Sequence, residues 1–336
     1  MALGIQRLLR RVTCSEIYAH HIAPEYAGRV RPLWSYESRH ARSVLIFHAS
    51  IGQPEVFTFL AGRAEPLVLV YHNITPSQYF EQHDAGIAEL LALGRRELEI
   101  VRPRVVGAVA ASEYNAHELE LIGYRDVRVV PPLVDVRRLS GVEPRPAMID
   151  RLRAYDGPVL LSVAQLMPHK RPDFLVEAMH CAQTYGSGRA PVLLLVGAHR
   201  LLHYMHAVRE QVRELAVNVH LVGAVDDADL AALYQGADLV VTASEHEGFC
   251  LPLLEAMTFD TPVVARAWAA VPETVGDAAL LVPPAEGPAF FAEAAAELLA
   301  RRSLYDDLVA RGRRRVTEFE RGAPDAAILD ALLEAV

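Results

Sequence analysis

The sequence predicts an α/β protein built from two doubly wound domains with parallel sheets. Three observations predict it. Short runs rich in Val and Leu, apolar on both faces, recur along the chain, as strands buried in a parallel sheet do. Longer segments with helical spacing separate those runs, which implies right-handed βαβ crossovers. The 336 residues suffice for two domains of ordinary size, and a composition that is 52% hydrophobic and 22% charged suits a folded rather than a disordered chain.

The second half shows the rhythm more clearly. Strand candidates are residues 159–163, 192–196, 219–222, 239–242, 262–265 and 279–282, with helical stretches at 172–183, 201–215, 227–235, 251–259 and 271–275. In the first half the strand candidates are 43–47, 67–71, 105–110 and 127–130, and the helical stretches 55–60, 85–101 and 113–122. Residues 131–148 carry Pro131, Pro132, Pro144 and Pro146, lack periodicity and read as the interdomain linker. After about residue 287 the pattern is nearly all helical. The expected division is a first domain over 1–140, a second over 141–310, and C-terminal helices over 311–336 that pack back on the first.

Charge and cysteine usage narrow the function classes. A net charge of −9 argues against a nucleic-acid partner. Residues 1–14 hold apolar pairs broken by Arg7, Arg10 and Arg11 and lack the core of a signal peptide. They read as an amphipathic, solvated surface helix, with peripheral contact to the inner face of a membrane as the alternative. No apolar run approaches the roughly 20 residues that span a bilayer. Cys14, Cys181 and Cys250 show neither metal-ligand nor disulfide spacing, so a reduced, cytoplasmic protein is expected.

The strongest motif is Glu247-Gly248-Phe249-Cys250-Leu251-Pro252-Leu253-Leu254-Glu255-Ala256-Met257, which follows the run 239–242 and opens a helix. Gly248 permits a backbone closed to other residues, and Pro252 suits a first helical turn. The free amides there form a ready phosphate site. A carboxylate one turn further on can accept two hydrogen bonds from a ribose diol.

This segment resembles the Glu-x7-Glu motif of retaining glycosyltransferases of family 4, the group 1 glycosyl transferases. Residues 161–172, ending in His169-Lys170-Arg171-Pro172, resemble the family's strand and phosphate-binding loop. Val222-Gly223-Ala224-Val225, with Asp229-Leu230 and Leu233-Tyr234, resembles its base-side strand and helix. Pro272-Glu273-Thr274-Val275-Gly276-Asp277-Ala278 resembles its late Pro-Glu segment. In the first half His48-Ala49-Ser50-Ile51-Gly52, Tyr71-His72-Asn73-Ile74-Thr75-Pro76 and Ala111-Ser112-Glu113-Tyr114-Asn115 are similar to segments of bacterial members that build surface polysaccharides. The resemblance runs from about residue 43 to 282.

The resemblance implies the GT-B fold, two facing Rossmann-like domains with an interdomain cleft. It implies metal-independent transfer, with retention of configuration, from a nucleotide diphosphate sugar to a hydroxyl of a saccharide or glycolipid acceptor. The nucleotide sugar is a co-substrate, and no cofactor or metal is expected. Glu255 would bind the donor ribose and Glu247 the sugar hydroxyls. Gly248, Phe249, Cys250 and Leu251 would offer backbone contacts. Lys170 would neutralise the leaving diphosphate, an electrostatic role suited to charge that builds as the glycosidic bond breaks. Gly223 and Val225 would lie beside the base. His72, and more weakly His48, would stand by the donor sugar, with a core histidine as the plain alternative. Gln165 replaces an arginine that many members carry, and Arg171 is the candidate for the missing charge. Residues 1–12 read as the helix that follows the family's first strand, which itself has no counterpart. These two departures leave open a non-catalytic nucleotide-sugar binder or a partner-dependent subunit. An epimerase on the same fold is disfavoured by the continuous match over 247–257.

Two patterns imitate metal sites. Asp226-Asp227-Ala228-Asp229 precedes a helix, where acidic residues cap. His199, His203 and His206 could share a helix face, but no fourth ligand is near in sequence.

Overall fold

A computed structural model describes residues 1–38, 43–186, 188–322 and 324–334, so Ala323, Ala335 and Val336 of the expected C-terminal helical segment lie outside the described residues. The chain divides into two compact units, Met1–Val134 with Gly322–Val336, and Asp135–Arg321.

The first unit opens with helix α1 (Ala2–Leu9) and a minimal parallel pair, β1 (Tyr18–Ala19) with β2 (Arg31–Pro32). Its main sheet is parallel and runs in sequence order: β3 (Leu45–Ala49), β4 (Leu67–Tyr71), β5 (Val105–Ala110), β6 (Arg128–Val129). Among the described residues no strand precedes β3 in this sheet. The crossovers are α2 (Pro54–Ala61), α3 (Ala85–Val101) and α4 (Glu113–Leu121). Asp84 caps α3 and Ser112 caps α4, each accepting a hydrogen bond from a first-turn amide. β4 is buried over its whole length, which is why an unbroken apolar run marks it. The last helix, Pro324–Glu334, buries Ile328 and Leu332 with Ile5, Leu8 and Leu9 against Val68, Val70 and Val109.

The second unit comprises, in chain order, α5 (Pro146–Arg153), β7 (Val159–Val163), α6 (Pro172–Tyr185), β8 (Val192–Val196), α7 (Leu202–Glu214), β9 (Val219–Gly223), α8 (Asp227–Gly236), β10 (Leu239–Thr242), α9 (Leu251–Thr258), β11 (Val263–Arg266), α10 (Val271–Val275), β12 (Leu280–Val282), α11 (Pro288–Ala300) and α12 (Arg302–Arg321). Its sheet order is β12-β11-β10-β7-β8-β9, with every pair parallel. This is a doubly wound Rossmann order, and the direction of winding reverses between β7 and β10.

The structure moves two expected boundaries. The first division falls after Val134, because Val136 and Leu139 are buried in the second unit's core and α5 begins within the supposed linker. The C-terminal division falls after Arg321 rather than at 310. Helix α12 stays with the second unit, where Gly312 lies so close to α9 that an added Cβ would stand 3.1 Å from Met257 Cγ.

Candidate functional site

At the reversal between β7 and β10 two loops leave the sheet side by side, the position where doubly wound sheets bind ligands. The loop after β7 carries Gln165 and Lys170, and the loop after β10 carries Glu247. Lys170 Nζ stands 2.7 Å from Glu247 Oε1, with side chains only 17% and 11% exposed. The loops are held by their backbones. Glu245 N–H donates to His169 O at 2.8 Å, and Leu166 N–H donates to Ala198 O at 3.0 Å. Gly197, at φ +141°, approaches so closely that an added Cβ would stand 1.8 Å from Ala164 O. His169 is buried, and burial, then the charge of Lys170 and then His246, lower its pKa to about 2. It therefore adds no charge at neutral pH.

Glu247 leads into α9 through Cys250, whose backbone is left-handed at φ +64°. No side chain caps α9; Pro252 in its first turn carries no N–H and Leu253 N–H donates to Cys250 O at 3.2 Å, which leaves the Leu251 amide at the helix opening. Burial pushes the Cys250 thiol well up, and the nearby Glu247 carboxylate adds to this. Phe249 is buried and packs on Phe319, with ring centroids 5.6 Å apart, while its carbonyl accepts a hydrogen bond from the Thr274 hydroxyl. Gly248 and Leu251 are half-buried beside it.

One turn into α9, Glu255 Oε2 accepts a hydrogen bond from Tyr234 Oη at 3.0 Å. Tyr234 is fully buried on α8 and stacks on Phe259. Burial raises the pKa of Glu255, opposed by the Tyr234 hydrogen bond and by Arg138. Sequence reasoning quoted Tyr234 only as part of the family pattern. The separation of 21 positions between it and Glu255 hides the contact, which needs α8 and α9 to be placed.

Other predicted residues fall as follows. Gln165 is exposed. Gly223, at φ +81°, gives its carbonyl to Gly197 N–H at 2.8 Å, and Val225 packs partly on the core. Arg171 is not free to replace the missing arginine, because its guanidinium is held by Asp173 and Glu245, and Glu245 also receives Arg266 at 2.9 Å. Asp226 caps α8 by accepting from Asp229 N–H at 2.9 Å; Arg145 pairs with Asp226 and Asp229, and Arg138 with Asp227. His206 faces Glu210, and His199 lies near Arg209. Among the described residues no three His, Cys, Asp or Glu side chains stand close enough to share a metal ion.

In the first unit His72 follows β4 and His48 lies within β3. Their rings stack nearly parallel, with His48 Nδ1 2.7 Å from His72 Nε2. Burial lowers the pKa of His48 to about 3 and of His72 to about 4, so both rings are neutral at physiological pH. The chain after His72 is fixed by residues that sequence reasoning did not assign. Asn73, left-handed at φ +76°, donates to Asn115 Oδ1 at 2.7 Å. Tyr71 Oη accepts from Ile74 N–H at 3.0 Å, and Arg95 binds both Ile74 O and Glu118. A non-glycine residue in this conformation is strained and persists only where its surroundings determine it.

The profile for "Glycosyl transferases group 1" covers residues 146–315, and the chain belongs to that family. It is 30% identical over 260 residues to the D-inositol 3-phosphate glycosyltransferase of Kineococcus radiotolerans, covering 73% of this chain and 60% of that protein. A shorter stretch of 106 residues is 39% identical to O-antigen chain mannosyltransferase B of Escherichia coli, covering 30% of this chain and 26% of that one. The first three curated relatives are matched over 60%, 50% and 48% of their own lengths, so the chain spans roughly half of each. Among solved structures, a glycosyltransferase from Rickettsia africae superposes with a TM-score of 0.70 at 15% identity, covering 99% of this chain and 93% of that one. Anabaena HepE in complex with UDP and glucose gives 0.68 at 18%, covering 86% and 78%. At these identities the likeness is one of fold, and the expected α/β, GT-B class holds. No described helix is long and apolar enough to cross a membrane.

Proposed function

We propose that the protein is a glycosyltransferase that moves a sugar from a nucleotide diphosphate sugar to a hydroxyl acceptor. The observation that carries this reading is the grouping, at one reversal of winding, of Lys170, Glu247 and the Leu251 amide at the opening of α9, with Glu255 a turn further on. Lys170 and the Leu251 amide receive the diphosphate, and stabilise the charge that builds on it as the glycosidic bond breaks. Glu255 accepts from the ribose diol, and Glu247 from the sugar hydroxyls. Gln165 donates a hydrogen bond without charge, and Gly223 and Val225 flank the base. His72, kept neutral by burial, can hydrogen-bond a sugar hydroxyl or the acceptor. Catalysis then rests on positioning and electrostatics, and needs neither metal nor cofactor.

The finer reading is retention of configuration by a front-face route, in which the leaving phosphate helps to deprotonate the acceptor. A role in glycoconjugate or polysaccharide synthesis is supported by the names of the relatives, which concern inositol phosphate and O-antigen. A cytoplasmic location fits three cysteines that form no disulfide. The test is release of nucleoside diphosphate from UDP-, GDP-, ADP- and dTDP-sugars with a panel of saccharide acceptors, the anomer of any product being read by NMR. Acceptor-dependent release with a retained anomer is expected. Nucleotide binding without transfer would favour the alternative that the exposed, uncharged Gln165 raises, a non-catalytic binder or a partner-dependent subunit. A free epimerised sugar formed without acceptor would point to an epimerase.

A further inference from the structure

The two charges assigned to different parts of the donor are paired with each other. Lys170 Nζ and Glu247 Oε1 are 2.7 Å apart and largely shielded from water. A carboxylate at that distance cancels most of the field the ammonium can offer a phosphate. Lys170 is a compact point charge on a flexible stem, so it can turn toward a new anion. Glu247 cannot follow it at no cost. A mostly buried carboxylate that loses its counter-ion is strongly destabilised, and the Cys250 thiol beside it carries no charge.

We infer that the Lys170–Glu247 ion pair is an exchangeable latch that couples the diphosphate and sugar subsites, and so makes the site discriminate intact donor from nucleoside diphosphate. A diphosphate alone draws Lys170 away and strands Glu247. A nucleotide sugar draws Lys170 away too, but its hydroxyls donate to Glu247 and replace the lost partner. Once the sugar has been transferred, Glu247 takes Lys170 back and weakens the hold on the product. This inference rests on the donor-site reading above and adds a coupling that the reading does not require.

The test is calorimetric binding of UDP, GDP, ADP and dTDP, and of the matching nucleotide sugar, to wild type, Glu247→Gln, Lys170→Gln and the double variant. Glu247→Gln is expected to bind the nucleoside diphosphate about tenfold more tightly than wild type while losing the preference for the sugar-bearing form, because its lysine is no longer neutralised. In the Lys170→Gln background the same change is expected to alter binding less than about threefold, which isolates the pair from direct repulsion between carboxylate and phosphate. If Glu247→Gln does not fold, Glu247→Asp keeps the charge on a shorter stem and is expected to shift binding in the same direction by a smaller factor. Unchanged or weaker diphosphate binding by a folded Glu247 variant overturns the latch while leaving the donor site standing. Equal tightening in both backgrounds also overturns it, since the carboxylate then acts on the phosphate directly. If wild type binds no nucleotide, the donor-site reading fails and the latch falls with it.

Discussion

Tyr234→Phe is the sharpest structural perturbation, because it removes one oxygen and changes almost no volume. In the native structure that hydroxyl donates to Glu255 Oε2 at 3.0 Å from a fully buried ring. A hydrogen bond to a charged group contributes about 1.5–3 kcal/mol, and one between neutral groups about 0.5–1.5 kcal/mol. Burial raises the pKa of Glu255 and the tyrosine pulls it back. A carboxyl whose folded pKa is raised contributes stability that is present below its unfolded pKa and lost as pH rises through the folded value. Removing the hydroxyl raises that pKa further, so the cost belongs to the ionised state. Urea denaturation of wild type and Tyr234→Phe is therefore expected to differ by about 1.5–3 kcal/mol at pH 7.5, and by about 0.5–1.5 kcal/mol at a pH below the ordinary glutamate range, where Glu255 is protonated. An equal cost at both pH values, or a cost under about 0.5 kcal/mol at pH 7.5, refutes the claim that Tyr234 serves the charged carboxylate.

Two further outcomes follow from the geometry. The stacked pair His48 and His72 has pKa values lowered to about 3 and about 4, below the ordinary histidine value, so its stability is present above about pH 6.5 and lost as pH falls toward 4. Each neutral ring that must charge costs roughly 3 kcal/mol over that interval, and His48→Gln should flatten the pH dependence of urea midpoints; an unchanged slope contradicts the burial of that ring. Gly197→Ala places a methyl 1.8 Å from Ala164 O at a left-handed position, φ +141°. It should cost about 3 kcal/mol or more and loosen the loop that carries Lys170, read as a lowered melting temperature together with weaker nucleotide binding; a near-neutral effect on both refutes the close approach.

The sheets were most legible where their strands are buried on both faces. Runs at 67–71, 159–163 and 192–196 coincide with β4, β7 and β8, since an unbroken Val and Leu stretch has few other places to go. The shift at β3, expected at 43–47 and found at Leu45–Ala49, arises because His48 ends the apolar run but still lies within the strand. The pair β1 and β2 carries two residues each, too few for any periodicity. Helix α5 was masked by prolines, although Pro146 occupies the first turn, where proline is tolerated. In the candidate site, the sequence motif and its placement after strands single out Lys170, Glu247 and Glu255, and the structure brings Lys170 and Glu247 together. Their partners were not legible in the sequence. Arg171 looked like a spare cation until Asp173 and Glu245 were seen to hold it, and the contacts of Tyr234 and Arg95 depend on long-range packing that no local spacing encodes.

Glu255, Lys170 and the opening of α9 are proposed to bind a nucleoside diphosphate. The most direct test is calorimetric titration of UDP, GDP, ADP and dTDP, without added metal, into wild type and Glu255→Ala. Selective binding of one nucleotide is expected, weakened about tenfold or more in Glu255→Ala, as the loss of a charged hydrogen bond of about 1.5–3 kcal/mol requires. Absence of binding by wild type, or equal binding by both proteins, contradicts the assignment.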